Sequence, residues 1–331
     1  MFDPQHYALY FSADQCRRAR ELRSSDSLRG AWEALVRRRP SNAPERMQQG
    51  SLLYRLNDDL EAGERALELL QSGETAMARG VGHLAQIVTL LLQTQCHELL
   101  HDHPSFSARG AWLRGYAQRV DSCLERDVGL LHVEAMWLNL LRLTSAIALE
   151  DERRFDRACE IFRECVRSDL HFDGYIRRAA EGRKGESLGR MLLTAQALCL
   201  CAEAASLAGE SLWQYDVRGV SALTPTPYLL YYYWYPERWR WDGDIEDNAV
   251  PQEGDGAPRV DEARALYRRH AGLWELAQAR SPSPDRQQLL DELRPVFDVQ
   301  GGGPLTLTHS AASERPTRRR GILERLRLRA R

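Results

Sequence analysis

Residues 96 to 104 read Cys-His-Glu-Leu-Leu-His-Asp-His-Pro, and within them His97, Glu98 and His101 spell H-E-x-x-H. On a helix this spacing sets two imidazoles on one face, one turn apart, beside a carboxylate, as zinc peptidases require. A zinc hydrolase also needs a third protein ligand and an open position for water. From His101 the chain runs His-Asp-His-Pro-Ser-Phe, which does not continue as His-x-x-Gly-x-x-His. The expectation is that His97 and His101 are structural side chains and that no cofactor is needed. A zinc site of His97, Glu98 and His101 stands as the weaker alternative.

The other candidate surface is aromatic. Tyr231, Tyr232, Tyr233, Trp234 and Tyr235 are consecutive, with Trp239 and Trp241 close behind. Sugar rings have apolar faces that stack on such side chains, and a Tyr hydroxyl adds a polar handle. Packing between helices would also account for the run.

The bulk numbers set bounds. A chain of 331 residues, 43% apolar, can bury a sizeable core in one large domain or two modest ones. A net charge of −2 provides no strong overall field towards nucleic acid or a membrane. The basic residues are Arg except for Lys184. Seven cysteines form no C-x-x-C, and their odd number argues against a disulfide framework, so a reducing compartment is expected. The first residues lack a basic stretch followed by an apolar one, which points to the cytoplasm. No run of about 18 apolar residues suggests a membrane span.

The elements that must position these side chains are helical nearly throughout. Residues 12–23 start on a Ser cap, and 26–38 follow. Residues 58–75 bring Leu60, Leu67 and Leu70 to one face. Residues 79–102, 107–126 and 129–149 are long helical patterns, and "DERRFDRACEIFRECV" is amphipathic. Residues 187–208 are apolar on all sides, which predicts a helix buried on several sides. Residues 224–234, 261–279 and 285–295 complete roughly ten helices, with no fixed-period repeat. The acidic stretch 242–258 reads as a surface loop, and the Gly-rich stretch 299–320 as disordered. The last residues, "RRRGILERLRLRAR", read as a basic tail able to form an amphipathic helix. The expected organisation is one all-α domain over 1–298 and a disordered basic tail over 299–331.

The order of several segments resembles the alginate lyase and heparinase-type lyase superfamily. "HYALYFSADQCRRARELRSSDSLRGAWEAL" is similar to its opening helices, and "LNDDLEAGERALELLQSG" to the next. "LLQTQCHELLHDHPSFSARGAWLRGYAQRV" and "AIALEDERRFDRACEIFRECV" resemble later segments. "AGESLWQYDVRGVSALTPTPYLLYYYWYPERW" is similar to the family's Gly-x-x-Leu-Trp-x-Tyr segment and the run that follows. The likeness spans about residues 5–245. It implies an incomplete α/α toroid of antiparallel helical hairpins, with a cleft for an acidic polysaccharide. It also implies work outside the cytoplasm, against the missing leader pattern.

The resemblance further implies β-elimination at a uronate. The carboxylate is neutralised, a base removes the C5 proton, and an acid protonates the leaving O4. In the family an Asn-Asn-His-x-x-Trp motif and an Arg, followed seven residues later by a Tyr, share these tasks. Carried over, Arg183 falls on the Arg and Arg190 on the Tyr. Trp137 falls on the Trp, with His132 on the first Asn and Glu134 on the His. The implied catalytic set is Arg183, Arg190, His132 and Glu134, with Tyr231, Tyr232 or Tyr235 as a source of the missing phenol. Trp137, Tyr232, Tyr235 and Trp239 are the implied sugar-binding residues, and Trp213 and Tyr215 support the cleft wall. The departed motif leaves open an alternative, a toroid that binds acidic glycans without cleaving them.

Overall fold

The computed structural model describes residues 2–72, 82–126, 129–180, 186–241 and 258–310. Among them there are helices and isolated bridges but no strand. Helices α1 (Ala13–Glu21), α2 (Asp26–Arg37), α3 (Ala43–Asn57) and α4 (Leu60–Ser72) open the chain. Next come α5 (His83–Leu99), α6 (Arg109–Leu124), α7 (His132–Leu149) and α8 (Glu152–Ser168). After the single turn α9 (Arg177–Ala180) comes α10 (Ser187–Leu207), then α11 (Pro225–Trp234) and α12 (Val260–Arg269). Helices α13 (Gly272–Arg280), α14 (Pro284–Leu293) and α15 (Leu305–His309) end the described chain.

The helix starts follow from local chemistry. Ser12 and Gln15 form a reciprocal capping box at α1. Asn42 accepts from the Glu45 N–H at α3, and Asp151 from the Arg154 N–H at α8. Sequence periodicity missed α3, because buried Gln48, Ser51 and Arg55 share its inward surface with Met47, Leu52 and Leu56. Its Asn cap and first-turn Pro44 were the readable signals. The single helix expected over 261–279 is two, α12 and α13, parted at His270 and Ala271.

A closed circuit of contacts makes the toroid. Helices α3, α5, α7, α10 and α13 each pack on the next, α13 meets α15, α15 meets α1 and α2, and α1 returns to α3. Helices α4 and α8 lie against α3 and α7 as the partners of hairpins. Long stretches of the wall helices are enclosed: all residues from Leu90 to Leu99 in α5 and from Thr194 to Ala205 in α10 are buried. By contrast α8 buries a single stripe of Phe155, Ala158, Cys159, Phe162, Cys165 and Val166. By length and composition alone α10 could cross a membrane, yet its surface is packed inside the ring. All seven cysteines are buried free thiols.

The expected boundary at 298 is corrected. Residues 299–310 are packed in the ring: Gly301 to His309 are all buried. Gln48 donates to Val299 O at 3.0 Å, Gln95 to Gly302 O at 2.9 Å and Gln196 to Asp298 Oδ2 at 2.7 Å. Gly302 and Gly303 hold φ of +103° and +92°, and added Cβ atoms would come within 2.9 Å of the Tyr10 ring and 2.8 Å of Leu52. The glycines that suggested disorder are there for a tight turn in a crowded place. Residues 311–331, with the basic tail, and 242–257 of the acidic loop lie outside the described residues.

Candidate functional site

The H-E-x-x-H closes α5 as a clasp. Glu98 is fully buried and accepts from His97 Nδ1 at 2.9 Å and from His6 Nδ1 at 3.1 Å. Burial alone would raise its carboxyl, but those two hydrogen bonds and the imidazoles' positive charge hold it down at about 2. His101 accepts from Arg109 at 2.7 Å and stacks on His6 at 4.6 Å. Burial and the Arg109 charge lower the His101 imidazole to about 4. His97 stacks on Trp112, and its ring stands edge-on to His101, 5.9 Å between centres. A guanidinium occupies the position in front of His101 Nε2 that a metal would need, so the two imidazoles do not form a zinc pair. They tie the N-terminal segment and α6 to α5.

Two clefts meet along α5. One, of about 670 Å³, lies where α3, α5 and α7 begin and reaches Val299 and Gln300; His83, Thr89 and Glu134 are in its wall. Glu134 caps its own helix, accepting from the Leu131 N–H at 3.1 Å. The other, of about 460 Å³, lies between α5 and α6 and also includes Thr89. Gln86 and Gln93, two turns apart on α5, face Arg126, in the turn just past the end of α6, and Arg119, within α6. Arg126 donates to Gln86 Oε1 at 2.9 Å, and Arg119 to Gln93 Oε1 at 3.4 Å. Neither guanidinium has a carboxylate within ion-pair distance among the described residues, and burial lowers the pKa of Arg119. His83 joins the clefts, its Nε2 lying 3.6 Å from Cys123 Sγ.

The other expected residues are dispersed. Arg183 lies outside the described residues. Arg190 is paired with Glu186 at 2.5 Å, in the first turn of α10, and lines none of the clefts described. His132 is buried, with Asp169 3.8 Å from Nδ1 and Cys165 Sγ 4.0 Å from Nε2. Burial outweighs Asp169 and lowers its pKa. Ligand atoms of His132, Cys165 and Asp169 lie within 4.8 Å of one another, a donor set able to take a zinc-class ion. Burial raises the Cys165 thiol, and Arg178 competes for Asp169 at 3.5 Å.

Most of the aromatic platform is core, which corrects its expected role. Trp137 and Trp239 are fully buried, with their indole N–H groups given to Leu193 O and Ser187 Oγ. Tyr232 is buried and meets Trp239 edge to face. Tyr235 is half-buried beneath Arg238, which also donates to the Tyr231 hydroxyl at 2.7 Å. Tyr231 lines a separate cleft that shares no residue with the Glu134 cleft. Trp213 donates to Glu203 at 2.9 Å, and Tyr215 lies under Arg163.

These features define an all-α toroid with polar clefts strung along one wall helix. Neither a family model nor a curated protein sequence matches the chain. Solved structures do. A variant of alginate lyase A1-III in complex with a tetrasaccharide superposes with a TM-score of 0.73 at 15% identity, over 94% of this chain and 97% of that one. Alginate lyase A1-III from Sphingomonas species A1 matches at 0.69 and 14%, over 93% and 97%. An alginate lyase from Bacteroides ovatus matches at 0.61 and 11%, over 92% and 99%. The chain has the alginate-lyase fold.

Sequence reasoning missed His83, Arg119 and Arg126. The resemblance placed Arg183 on the family's Arg and Arg190 where its Tyr is expected; Arg119, in α6, and Arg126, just past its end, are likewise seven residues apart. Gln86 and Gln93 repeat it on α5, and that matched pair of spacings was the available signal.

Proposed function

We propose that this protein binds a uronate-containing acidic polysaccharide along the α5–α6 groove and acts on it as a lyase, by β-elimination. The observation that carries the reading is the ladder of Arg119 and Arg126 against Gln93 and Gln86. Gln86 and Gln93 stand about 10.5 Å apart along α5, close to two linked pyranoses, and Arg126 and Arg119 bond to them, so the guanidinium groups can take the carboxylates of alternate sugars. Charge-assisted bonds to carboxylates are the stronger kind, and the amides supply hydroxyl partners. In the adjoining cleft His83 and Glu134 are the proton carriers of this reading. One takes the C5 proton as the C4–O4 bond breaks and a C4=C5 double bond forms, and the other protonates O4. The shared fold of three solved alginate lyase structures supports the substrate class.

A second reading, binding without cleavage, is favoured by one observation: Glu134 is engaged as a helix cap, and an Arg stands where the resemblance expects a phenol. Incubation with alginate and polyglucuronate, followed by the ultraviolet absorbance of unsaturated products, separates the two. The lyase reading expects product that is lost in Glu134→Gln or His83→Ala while binding persists. It also expects Arg119→Ala and Arg126→Ala each to weaken binding about tenfold. Saturable, salt-sensitive binding without product selects the second reading. Neither binding nor product on either polymer removes both.

A further inference from the structure

A cleft of about 550 Å³ lies away from α5, between the starts of α11 and α14. Its wall includes Arg286, which is 7% exposed. Arg286 donates to Thr226 Oγ1 at 3.1 Å and to Ser281 O at 2.6 Å, and both partners also line the cleft. No carboxylate among the described residues lies within ion-pair distance of it. Other deeply placed guanidinium groups here do have one: Arg55 has Asp102 at 2.7 Å, and Arg294 has Glu275 at 2.8 Å. A buried charge without a counter-ion is costly, and burial accordingly lowers the Arg286 pKa.

The surroundings suit an anion. Hydroxyls of Ser221, Thr224, Ser283 and Tyr231 line the same cleft. The first turn of α14 opens onto it, and the Ser283 side chain does not cap that helix. First-turn N–H groups have no partner within their own helix and favour negative charge. Asp285 is the one carboxylate in the wall, half-buried, and it opposes a ligand carrying many charges. Leu223, Pro227 and Leu230 supply an apolar side for the body of a small molecule.

We propose that the cleft between α11 and α14 is a binding site for a small oxyanion, a phosphate or the carboxylate of a sugar acid, with Arg286 as its counter-ion. The site is independent of the α5–α6 groove, so it stands or falls apart from the lyase reading.

The test titrates the full chain at constant ionic strength with inorganic phosphate, with glucuronate and with glucose as the neutral control. Calorimetry reads affinity, and thermal melting reads stabilisation. Saturable binding of phosphate or glucuronate is expected, with no response to glucose, and Arg286→Gln should lose at least tenfold in affinity. Phosphate alone binding assigns a phosphate group, and glucuronate binding assigns a sugar acid. Because Arg286 is buried, a second variant guards against misfolding. Ser283→Glu places a carboxylate in the cleft, so it should melt higher than the parent without ligand and no longer respond to either anion. No saturable binding by the parent overturns the site, as does undiminished binding by a folded Arg286→Gln. A Ser283→Glu protein that still responds to the anion also overturns it.

Discussion

At the scale of single residues, Glu98 shows how a catalytic spelling can serve structure. Its carboxylate is wholly enclosed, so its charge persists only because His6 and His97 donate to it. An amide in its place keeps one acceptor oxygen but turns an NH2 donor towards the other imidazole, so one of the two hydrogen bonds is lost inside the protein. Glu98→Gln is expected to destabilise the protein by about 3 kcal/mol, measured by urea unfolding at neutral pH. The pH dependence has a definite sign. The carboxyl moves from an ordinary 4.5 to about 2 on folding, so the unfolded chain binds the proton more readily between those values. The stability from Glu98 is therefore complete above about 4.5 and lost as the pH falls towards 2. In Glu98→Gln that part of the acid limb should flatten. An unchanged acid limb would show that other groups govern it. The motif was legible as letters, but its role was not, because the residues that claim it, His6 and Arg109, sit at unrelated spacings in the chain.

At the scale of elements, legibility followed amphipathicity. The stripe of α8 and the all-round apolarity of α10 could be read directly, because each maps burial onto a 3.6-residue period. The polar inward surface of α3 carried no such signal, since Gln48 and Arg55 are buried by partners distant in sequence. The Gly-rich turn before α15 was misread for a related reason: composition cannot distinguish a chain without a fold from a turn that only glycine can make. Two glycines test that distinction. Gly219 holds φ of +80° with open space around it, so Gly219→Ala meets backbone strain alone, about 1 kcal/mol. Gly302 holds φ of +103° against the Tyr10 ring, so Gly302→Ala adds a collision and is expected to cost about 3 kcal/mol. Thermal unfolding of the two variants side by side is the measurement. Equal losses would mean that the turn is not packed as tightly as Tyr10 and Leu52 indicate.

At the scale of the whole molecule, one short segment completes the ring. Helices α3, α5 and α10 each donate from a buried side-chain amide to the stretch from Asp298 to Gly302, and Glu275 of α13 accepts from the Thr306 hydroxyl at 2.6 Å. His309 joins Glu203 of α10 at 3.3 Å, and Leu305 and Leu307 fill two different hydrophobic clusters. A chain ended after Arg294 would strand the amide donors of Gln48, Gln95 and Gln196. At about 1–3 kcal/mol for each unsatisfied buried group, the loss approaches the total of about 5–15 kcal/mol that holds a typical domain together. The shortened chain is therefore expected to keep much of its helix content by far-ultraviolet dichroism, yet to lose its cooperative melting transition and bind a hydrophobic dye. Adding the peptide 295–310 in trans should restore cooperativity in proportion to its concentration, because it binds only the native ring. A shortened chain that melts as sharply as the parent would show that the wall helices close without this segment, and that the contacts at the centre follow the fold rather than hold it.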